Sequence, residues 1–511
     1  MKNKVYYPFI LALFPVFFLY SFNVGEVKFS EILPSLFTVL GFSLFLYLVF
    51  YLIFKKSSEK SALATFFILF LIFSYGHIAS VVYPFHKDYY QISDLYLITL
   101  WIVLIALVIF WVGQLKKDLK RINVFLSLVS LVLIIFPLVN IGFFQLKNSL
   151  NQKKSEMRTP QKTLEAGGES LVQNENLPDI YYIILDRYAS KEILKERYGF
   201  DNSKFIRDLR SKGFYVAEKS FANYPKTAHS LASSLNMDYL NFGSESGNNW
   251  RPIFDMLKDY KAWSLLKERG YKFIHMGSWW QPTSENSYAD ENINIYPLPE
   301  FSLVLYKTTF FYPLGKIAGI FNERLIQYQR VKLQFEKLES ISQDSDPTFV
   351  FVHFLVPHDP YVFNEDGSFV SETEETRTSE NDKYINQVKF VNSKLINFID
   401  KTLNGQSKSI IILQSDEGPH PERHELDPLG FNWNEATNEE LKLKMGIFNA
   451  YLFPGVDKSV FYSSITPVNS FRLLFNSYFG TDYDILEDRA FVFEDYNHPF
   501  KFYDVTDKLR N

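Results

Sequence analysis

Residues 411–419 read IILQSDEGP, a run of β-favouring apolar residues that stops at two adjacent carboxylates, Asp416 and Glu417. Gly418 and Pro419 follow at once, and both residue types end strands. Two neighbouring negative charges at the end of a buried strand repel each other, whereas a divalent cation makes the arrangement favourable. The stretch therefore predicts a buried strand with metal-binding carboxylates at its end.

The sequence before this strand repeats one order of elements. Residues 383–405 carry apolar side chains at helical spacing and stop at Gly405. Residues 263–278 show a helical pattern that stops at Gly270 and leads into a strand. Helix, glycine and apolar strand alternate in this way from residue 178 onward, which predicts an α/β domain with a mainly parallel central sheet covered by helices on both faces.

Other strands of this region also end in polar residues. The apolar run 180–185 ends at Asp186, and the run 348–355 leads to His358. Ligands of such sheets lie beyond the carboxyl ends of the strands, so Asp186 and Asp416 converge if their strands are neighbours. Thr227 precedes a stretch with helical spacing, and a helix N-terminus at that point would favour an anion.

The N-terminal third has the composition of a membrane domain. It contains apolar runs long enough to cross a bilayer, which predict five transmembrane helices. The runs cover residues 5–24, 32–54, 62–83, 95–113 and 124–144.

The charges of the connecting loops predict the orientation of these spans. Lysine and arginine are concentrated on the side of the N-terminus, and only Lys28 and Lys87 lie on the other side, so the N-terminus is expected in the cytoplasm. The predicted organisation is a membrane domain at 1–145, a polar linker at 146–177 and an extracytoplasmic domain at 178–511. A multi-pass protein of the bacterial cytoplasmic (inner) membrane is the simplest interpretation.

Composition excludes several kinds of site. The chain has no cysteine, which excludes disulfides, thiolate metal sites and a cysteine nucleophile, and leaves oxygen and imidazole as metal ligands. The net charge is −4 and no arginine-rich block is present, so nothing indicates nucleic-acid binding.

The motifs and their order resemble a known family. They are a strand ending at an acidic residue, a threonine followed three residues later by serine, PHxPY at 357–361, YxxQ at 384–387 and a strand ending SDxG at 415–418. Together with the membrane domain, they resemble the sulfatase-like branch of the alkaline phosphatase superfamily, and within it the membrane-bound lipoteichoic acid synthases and phosphoethanolamine transferases.

The resemblance implies the roles of individual residues. It implies that one divalent metal is bound by Asp186, Thr227 and Asp416, that Thr227 is the nucleophile and that His358 contacts the substrate phosphate. The synthases have histidine at the position of Glu417. Glutamate remains a metal ligand, and we therefore predict that Glu417 completes an all-oxygen site that favours Mn, Mg or Ca over Zn.

Other interpretations of these residues stay open. Glu417 could turn away into a salt bridge, with His420 or His424 as the nitrogen ligand instead. Asp186 and Thr227 could only cap helices. His353, within an alternating apolar strand, is expected to be a buried histidine of the core or of the site's surroundings. Trp279 and Trp280 could line an acceptor pocket, although such pairs are more often packing residues.

The resemblance and the membrane anchor together predict a reaction. We expect metal-dependent transfer of a phospho-headgroup from a membrane phospholipid to an extracytoplasmic glycan or lipid through a phospho-threonine intermediate. One alternative is a phosphodiester or sulfate-ester hydrolase that uses the same site, and another is a catalytically silent membrane scaffold. A formylglycine-dependent sulfatase is not expected, because TAHSLA at 227–232 lacks the cysteine, proline and arginine of that signature.

Overall fold

A computed structural model describes residues 5–82, 90–116, 118–156, 177–242, 248–341, 346–405 and 408–510. The chain divides into two compact units. The first, here called the helical unit, comprises Met1–Arg158 and Pro297–Asn322. The second, the sheet unit, comprises Thr159–Tyr296 and Glu323–Asn511.

The helices, numbered in chain order, are α1 (Tyr7–Phe22), α2 (Phe29–Ile53), α3 (Ser58–Val82), α4 (Tyr90–Gln114), α5 (Lys120–Glu156), α6 (Lys191–Tyr198), α7 (Ser203–Ser211), α8 (Thr227–Asn236), α9 (Arg251–Met256), α10 (Lys261–Lys267), α11 (Gln281–Ser284), α12 (Glu300–Lys307), α13 (Phe311–Ile317), α14 (Glu323–Ile341), α15 (Glu372–Arg377), α16 (Glu380–Leu403), α17 (Glu422–Leu426), α18 (Asn438–Met445), α19 (Ser470–Phe479) and α20 (Thr506–Arg510). The strands are β1 (Ile180–Leu185), β2 (Tyr215–Val216), β3 (Lys272–Met276), β4 (Glu291–Ile293), β5 (Thr348–Phe354), β6 (Ile410–Gln414), β7 (Asn449–Leu452), β8 (Phe491–Phe493) and β9 (Phe502–Asp504).

The helical unit contains the five apolar helices that the sequence predicts. Four described helical stretches are long and apolar enough to cross a membrane, namely Phe29–Ile53, Ser58–Val82, Leu95–Gln114 and Lys120–Leu150. The fifth apolar helix, Tyr7–Phe22, is shorter, with 16 residues. The prediction of an N-terminal domain with several membrane-spanning apolar helices is thus confirmed, and four of these helices have full spanning length.

The last of these helices extends beyond its predicted end. α5 continues to Glu156, so the predicted linker at 146–177 begins as helix. Its polar end lacks glycine and proline and consists largely of lysine, glutamine, leucine and asparagine, so nothing in it stops a helix that the preceding apolar turns have already formed. The rest of the predicted linker, residues 157–176, lies outside the described residues.

The sheet unit is built on a seven-stranded sheet with the order β2-β7-β6-β1-β5-β3-β4. The strands from β6 to β4 run parallel, while at the other edge β7 pairs antiparallel with β6 and β2 pairs antiparallel with β7. The predicted neighbourhood of the strands before Asp186 and Asp416 is confirmed, because β1 pairs in parallel with β6. In the same sheet, Ile184 of β1 pairs with His353 of β5 on its other side.

Helices cover both faces of this sheet, as predicted. Alternate residues of β1 belong to two different apolar clusters: Ile180, Tyr182 and Ile184 to one, and the intervening residues to the other. The first cluster includes α8, α10 and α19, and the second includes α7, α14 and α16. All six residues of β1 are buried, which explains why the strand reads as a continuous apolar run.

The stretch Pro297–Asn322, which the sequence placed in the outer domain, belongs instead to the helical unit. It follows β4 and carries α12 and α13, and its backbone bonds to α3. Gly76 of α3 donates its N–H to the Thr308 carbonyl at 3.0 Å, and Phe310 donates to the Ile72 carbonyl at 2.9 Å. A Cβ at Gly76 would meet the Thr308 Cα at 2.6 Å.

We expect Gly76→Ala to destabilise this helical unit. The added methyl group collides with backbone that has no room to move, and overpacking of this kind costs about 1–3 kcal/mol. Gly142→Ala on α5 is the matched control, because nothing lies within 4 Å of a Cβ at that position. Thermal unfolding in detergent should show a lower midpoint for Gly76→Ala alone, and equal midpoints for the two variants would contradict the close approach.

Candidate active site

Three buried side chains converge beyond the carboxyl ends of the central strands. Asp186, His353 and Asp416 each offer a ligand atom, and these atoms lie within 4.8 Å of one another. One oxygen of Asp186, both oxygens of Asp416 and Nε2 of His353 have no hydrogen-bond partner. Because a buried polar atom without a partner is costly, so many in one place indicate a site suited to a cation. The residues present fit a divalent metal.

The charges of the cluster support the same interpretation. Burial raises the pKa of Asp416 well above its usual range, and the carboxylates of Asp186 and Glu417 raise it further. Burial acts in the same direction on Asp186, but His358, His353 and Arg187 outweigh it and lower the pKa of that carboxyl. The Thr227 side chain and the charge of Lys444 lower the pKa of Asp416 without cancelling this rise, so a bound cation would stabilise its carboxylate.

Thr227 lies where the sequence predicts it. It is the first residue of α8, and its side chain interacts with Asp416 and partly offsets the rise in that residue's pKa. The first N–H groups of a helix have no partner within the helix and carry a partial positive charge, which stabilises an anion in front of them. A hydroxyl beside buried carboxylates at a helix N-terminus is well placed to act on a phosphate.

His358 and Arg187 border the cluster. The His358 backbone N–H donates to the Asp186 carbonyl at 3.2 Å, and its ring also contacts the neighbouring Asp359. Arg187 adopts a left-handed backbone conformation with φ of 61°, which is strained for a non-glycine residue. Its guanidinium contacts Asp359 at 2.8 Å and lies 3.6 Å from a Glu417 oxygen.

The YxxQ motif holds the loops that carry these residues. The Tyr384 hydroxyl accepts the Ala189 N–H at 3.0 Å and donates to the Arg187 carbonyl at 2.8 Å. The Gln387 amide donates to the carbonyls of Pro357 and His358, both at 3.1 Å. Both side chains are buried on α16, and they fix the loops that follow β1 and β5 relative to each other.

Glu417 differs from the prediction that it binds the metal. Its Oε1 is 2.5 Å from the Lys444 ammonium, and it is absent from the cluster that holds Asp186, His353 and Asp416. Lys444 is fully buried, and a buried ammonium requires an anion beside it. The same ammonium donates to the Gly418 carbonyl at 3.1 Å and to the His420 ring at 2.7 Å, which accounts for its three protons.

The two histidines that could have replaced Glu417 do not join the cluster either. Burial, and next the charge of Lys444, lower the pKa of His420 well below its usual range, so its neutral ring accepts a hydrogen bond from the Lys444 ammonium. His424 stacks near His420, with ring centroids 4.2 Å apart, and contacts Phe431 and Trp433. The nitrogen ligand of the cluster is instead His353.

His353 is the site residue whose role the sequence interpretation missed. It lies in the buried core, as expected, but its Nε2 is 3.4 Å from an Asp186 oxygen. Its Nδ1 is 2.8 Å from the Thr283 hydroxyl, which orients the ring. The available signal was its place near the end of an apolar strand that leads into the PHxPY segment.

The donor set changes the expected metal preference. Two carboxylates, an imidazole and a threonine hydroxyl make a mixed oxygen and nitrogen site, and such a site accommodates Zn as readily as Mn or Mg. The expected preference for harder ions rested on Glu417 as a ligand, so the geometry removes its basis.

Two tryptophans lie next to the cluster. The Trp279 ring is 6.2 Å from the His358 ring, and the Trp280 ring is 6.4 Å from the His353 ring. Both follow the end of β3, at the same edge of the sheet as the cluster. Trp280 also packs edge-to-face on Phe254, with ring centroids 5.7 Å apart, and the acceptor pocket stays a prediction.

The buried pair of Glu417 and Lys444 provides a stability test. We expect Lys444→Met to destabilise the sheet unit by about 3–5 kcal/mol, because it leaves the Glu417 charge buried without its partner. The double variant Glu417→Gln, Lys444→Met should recover most of this loss. Lys442→Met is the matched control, since Lys442 is exposed on the same helix. Thermal unfolding measures all three, and a neutral Lys444→Met would contradict the pairing.

The chain is similar to one protein family and to several solved structures. The Sulfatase family model matches residues 178–443. None of the curated proteins matches the sequence significantly. Among solved structures, the C-terminal periplasmic domain of EcEptC from Escherichia coli is similar, with 12% identity, a TM-score of 0.44, and coverage of 65% of this chain and 93% of that one.

Two further structures are similar at the same identity. The C-terminal periplasmic domain of phosphoethanolamine transferase EptC from Campylobacter jejuni has 12% identity and a TM-score of 0.39, over 61% of this chain and 92% of that one. The integral membrane protein lipooligosaccharide phosphoethanolamine transferase A from Neisseria meningitidis has 12% identity and a TM-score of 0.39, over 91% of this chain and 94% of that one.

Proposed function

The chain belongs to the sulfatase family of enzymes, and we propose that it is a metal-dependent transferase that moves a phospho-headgroup from a membrane phospholipid to an extracytoplasmic glycan or lipid. The observation that carries the proposal is the convergence of Asp186, His353 and Asp416, with unpartnered buried atoms, beside Thr227 at the start of α8. A threonine in this setting suits displacement at phosphorus.

The absence of cysteine narrows the reaction. A sulfatase that depends on formylglycine needs a cysteine or serine in a signature that this chain lacks, whereas a threonine hydroxyl attacks phosphorus directly. Asp186, Asp416 and His353, together with Thr227, would hold the divalent metal. When bound, that metal would neutralise charge on the phosphoryl oxygens and favour ionisation of the threonine hydroxyl.

The proposed reaction consists of two successive displacements at phosphorus. In the first, Thr227 Oγ1 bonds to phosphorus, the bond from phosphorus to the diacylglycerol oxygen breaks, and that oxygen takes up the threonine proton. In the second, an acceptor hydroxyl oxygen bonds to phosphorus, the bond to Thr227 breaks, and the threonine regains a proton from the acceptor. The N–H groups at the start of α8 stabilise the negative charge in both steps, and His358 binds a phosphate oxygen.

The membrane helices fit a lipid donor. A substrate that resides in the bilayer is presented at high effective concentration to an enzyme anchored in the same bilayer. The loop charges support a cytoplasmic N-terminus, and with it a multi-pass protein of the bacterial inner membrane whose sheet unit lies outside the cytoplasm.

The test measures the fate of both halves of the donor. Full-length protein is reconstituted with Mn or Zn into vesicles of phosphatidylethanolamine and phosphatidylglycerol, with a short-chain alkyl glucoside as the acceptor probe. Mass spectrometry should detect diacylglycerol together with the phospho-headgroup attached to the glucoside. Diacylglycerol with only free phospho-headgroup would make the protein a hydrolase, and metal-loaded protein that forms no diacylglycerol would overturn the use of a phospholipid donor.

A further inference from the structure

The stretch Pro297–Asn322, here called the docking segment, interrupts the sheet unit between β4 and α14 and belongs to the helical unit. Its two short helices pack with different partners. Phe301 and Leu305 of α12 are both 6% exposed and belong to an apolar cluster with residues of α1 and α2. Phe310, just before α13, is 6% exposed and belongs to the cluster built on α3 and α4.

Polar contacts fix the segment in place as well. The Ser302 hydroxyl is 2.9 Å from the Ser35 hydroxyl of α2. On the other side, the backbone bonds to Gly76 and Ile72 join the segment to α3. The segment is thus held to two neighbouring apolar helices through side chains and main chain together.

The contacts lie at one end of these helices. Ser35 follows the start of α2 by six residues, and Gly76 precedes the end of α3 by six residues. With a rise of about 1.5 Å per residue, both contacts lie roughly 9 Å from the end of their helix. The bond of Phe310 to Ile72 and the contact of Phe311 with Phe42 lie deeper, about 15 Å and 20 Å from the same ends. A helix of 25 residues exceeds the hydrocarbon thickness of a bilayer, so these contacts extend from the boundary between acyl chains and headgroups into the acyl region.

The outer surface of the docking segment carries large apolar side chains beside two exposed lysines, Lys307 and Lys316. Ile317 is 64% exposed and Ile320 is 81% exposed. Phe311 is 39% exposed and packs edge-to-face on Phe42 of α2, so the exposed surface continues that of the apolar helix. Tyr306 contacts Tyr312 and Phe321. Aromatic side chains are enriched where membrane proteins meet headgroups.

We propose that the docking segment lies at the boundary between the headgroups and acyl chains of the bilayer and inserts Ile317 and Ile320 among the lipids. The partner is the lipid bilayer, because the exposed surface is continuous with the exposed apolar face of α2. Exposure of such large apolar side chains to water beside this face would be unfavourable. Insertion among the acyl chains removes this apolar surface from water.

The absence of cysteine makes the test direct, because single cysteines can be introduced and labelled at chosen positions. Ile317→Cys and Ile320→Cys are each labelled with an environment-sensitive fluorophore in full-length protein reconstituted into vesicles of phosphatidylethanolamine and phosphatidylglycerol. Lipids that carry a doxyl quencher at a shallow or a deep position of the acyl chain report the depth of each label. Phe136→Cys on α5 is the membrane reference, and Leu403→Cys, which is exposed at the end of α16, is the aqueous control.

We expect shallow-doxyl lipids to quench the labels at Ile317 and Ile320, and deep-doxyl lipids to quench the label at Phe136 near the middle of its span, while the label at Leu403 stays unquenched. Deep-doxyl lipids should quench the two segment labels less than the shallow ones. Labels at both positions that respond only to a water-soluble quencher would overturn the proposal. Protection from both kinds of quencher would also overturn it, since it would place a protein partner or a second copy on this surface.

Discussion

Thr227→Ala is expected to lower the rate of diacylglycerol release by about 10³-fold or more, because it removes the atom that bonds to phosphorus. The substitution leaves α8 intact, since alanine is the best helix former and Thr227 is the first residue of that helix. Thr227→Ser, which keeps a hydroxyl at the same carbon, is the matched control and should retain most of the activity.

The covalent intermediate gives a second measurement of the same prediction. In the wild-type protein, the peptide that contains Thr227 should carry a mass increment equal to the phospho-headgroup of the donor lipid, and the increment should be absent in Thr227→Ala. Full activity of Thr227→Ala would show that another group, or water, attacks phosphorus. An alanine variant that loses activity and also loses thermal stability would point to a structural role, which Thr227→Ser separates from the chemical one.

The fold was predictable where adjacent residues in the sequence determine an element. The run IILQSDEGP and the run before Asp186 each predict a strand and the residue at which it ends. The pairing of β1 with β6 follows if these two strands are neighbours in a parallel sheet. The packing of the docking segment against the apolar helices was not predictable in this way. Its two helices are short, and their apolar residues pack on helices more than 200 residues earlier in the chain, as Ser302 does on Ser35 with a separation of 267.

The site was predictable for residues at strand ends and helix starts. Asp186, Asp416 and Thr227 lie together as their positions in the sequence suggest. His353 was not recognised because its role depends on register: β5 pairs with β1 so that His353 is opposite Ile184, two residues before Asp186. An alternating apolar strand contains nothing that reveals this register.

For Glu417, the local pattern of two adjacent carboxylates predicted metal binding, but a residue distant in the sequence pairs with it instead. Lys444 lies 27 residues later on α18, a helix that reads as a charged surface helix. The signal that it faces inward is its spacing from Leu441 and its place beside Met445, both of which are buried. One buried cation is enough to draw the neighbouring carboxylate away from the metal cluster.

Asp416 and Glu417 can therefore be separated by experiment, although they are adjacent and carry the same charge. Asp416→Asn is expected to weaken metal binding by more than about 100-fold, beyond what loss of an outer hydrogen-bonding residue causes. Glu417→Gln should change it by less than about tenfold, because its carboxylate contacts Lys444 and Arg187. Each substitution removes one negative charge and keeps the shape of the side chain, so each controls for the other.

The measurement is the metal content of purified full-length protein, together with titration calorimetry using Zn and Mn after chelation. His353→Ala should behave like Asp416→Asn and lose metal, because it removes the nitrogen donor of the cluster. If Glu417→Gln loses as much metal as Asp416→Asn, the metal is held by the acidic pair itself and Lys444 leaves Glu417 when the ion binds. If Asp416→Asn keeps its metal, the cluster of Asp186, His353 and Asp416 is not the metal site, and the proposed phosphoryl transfer loses its basis.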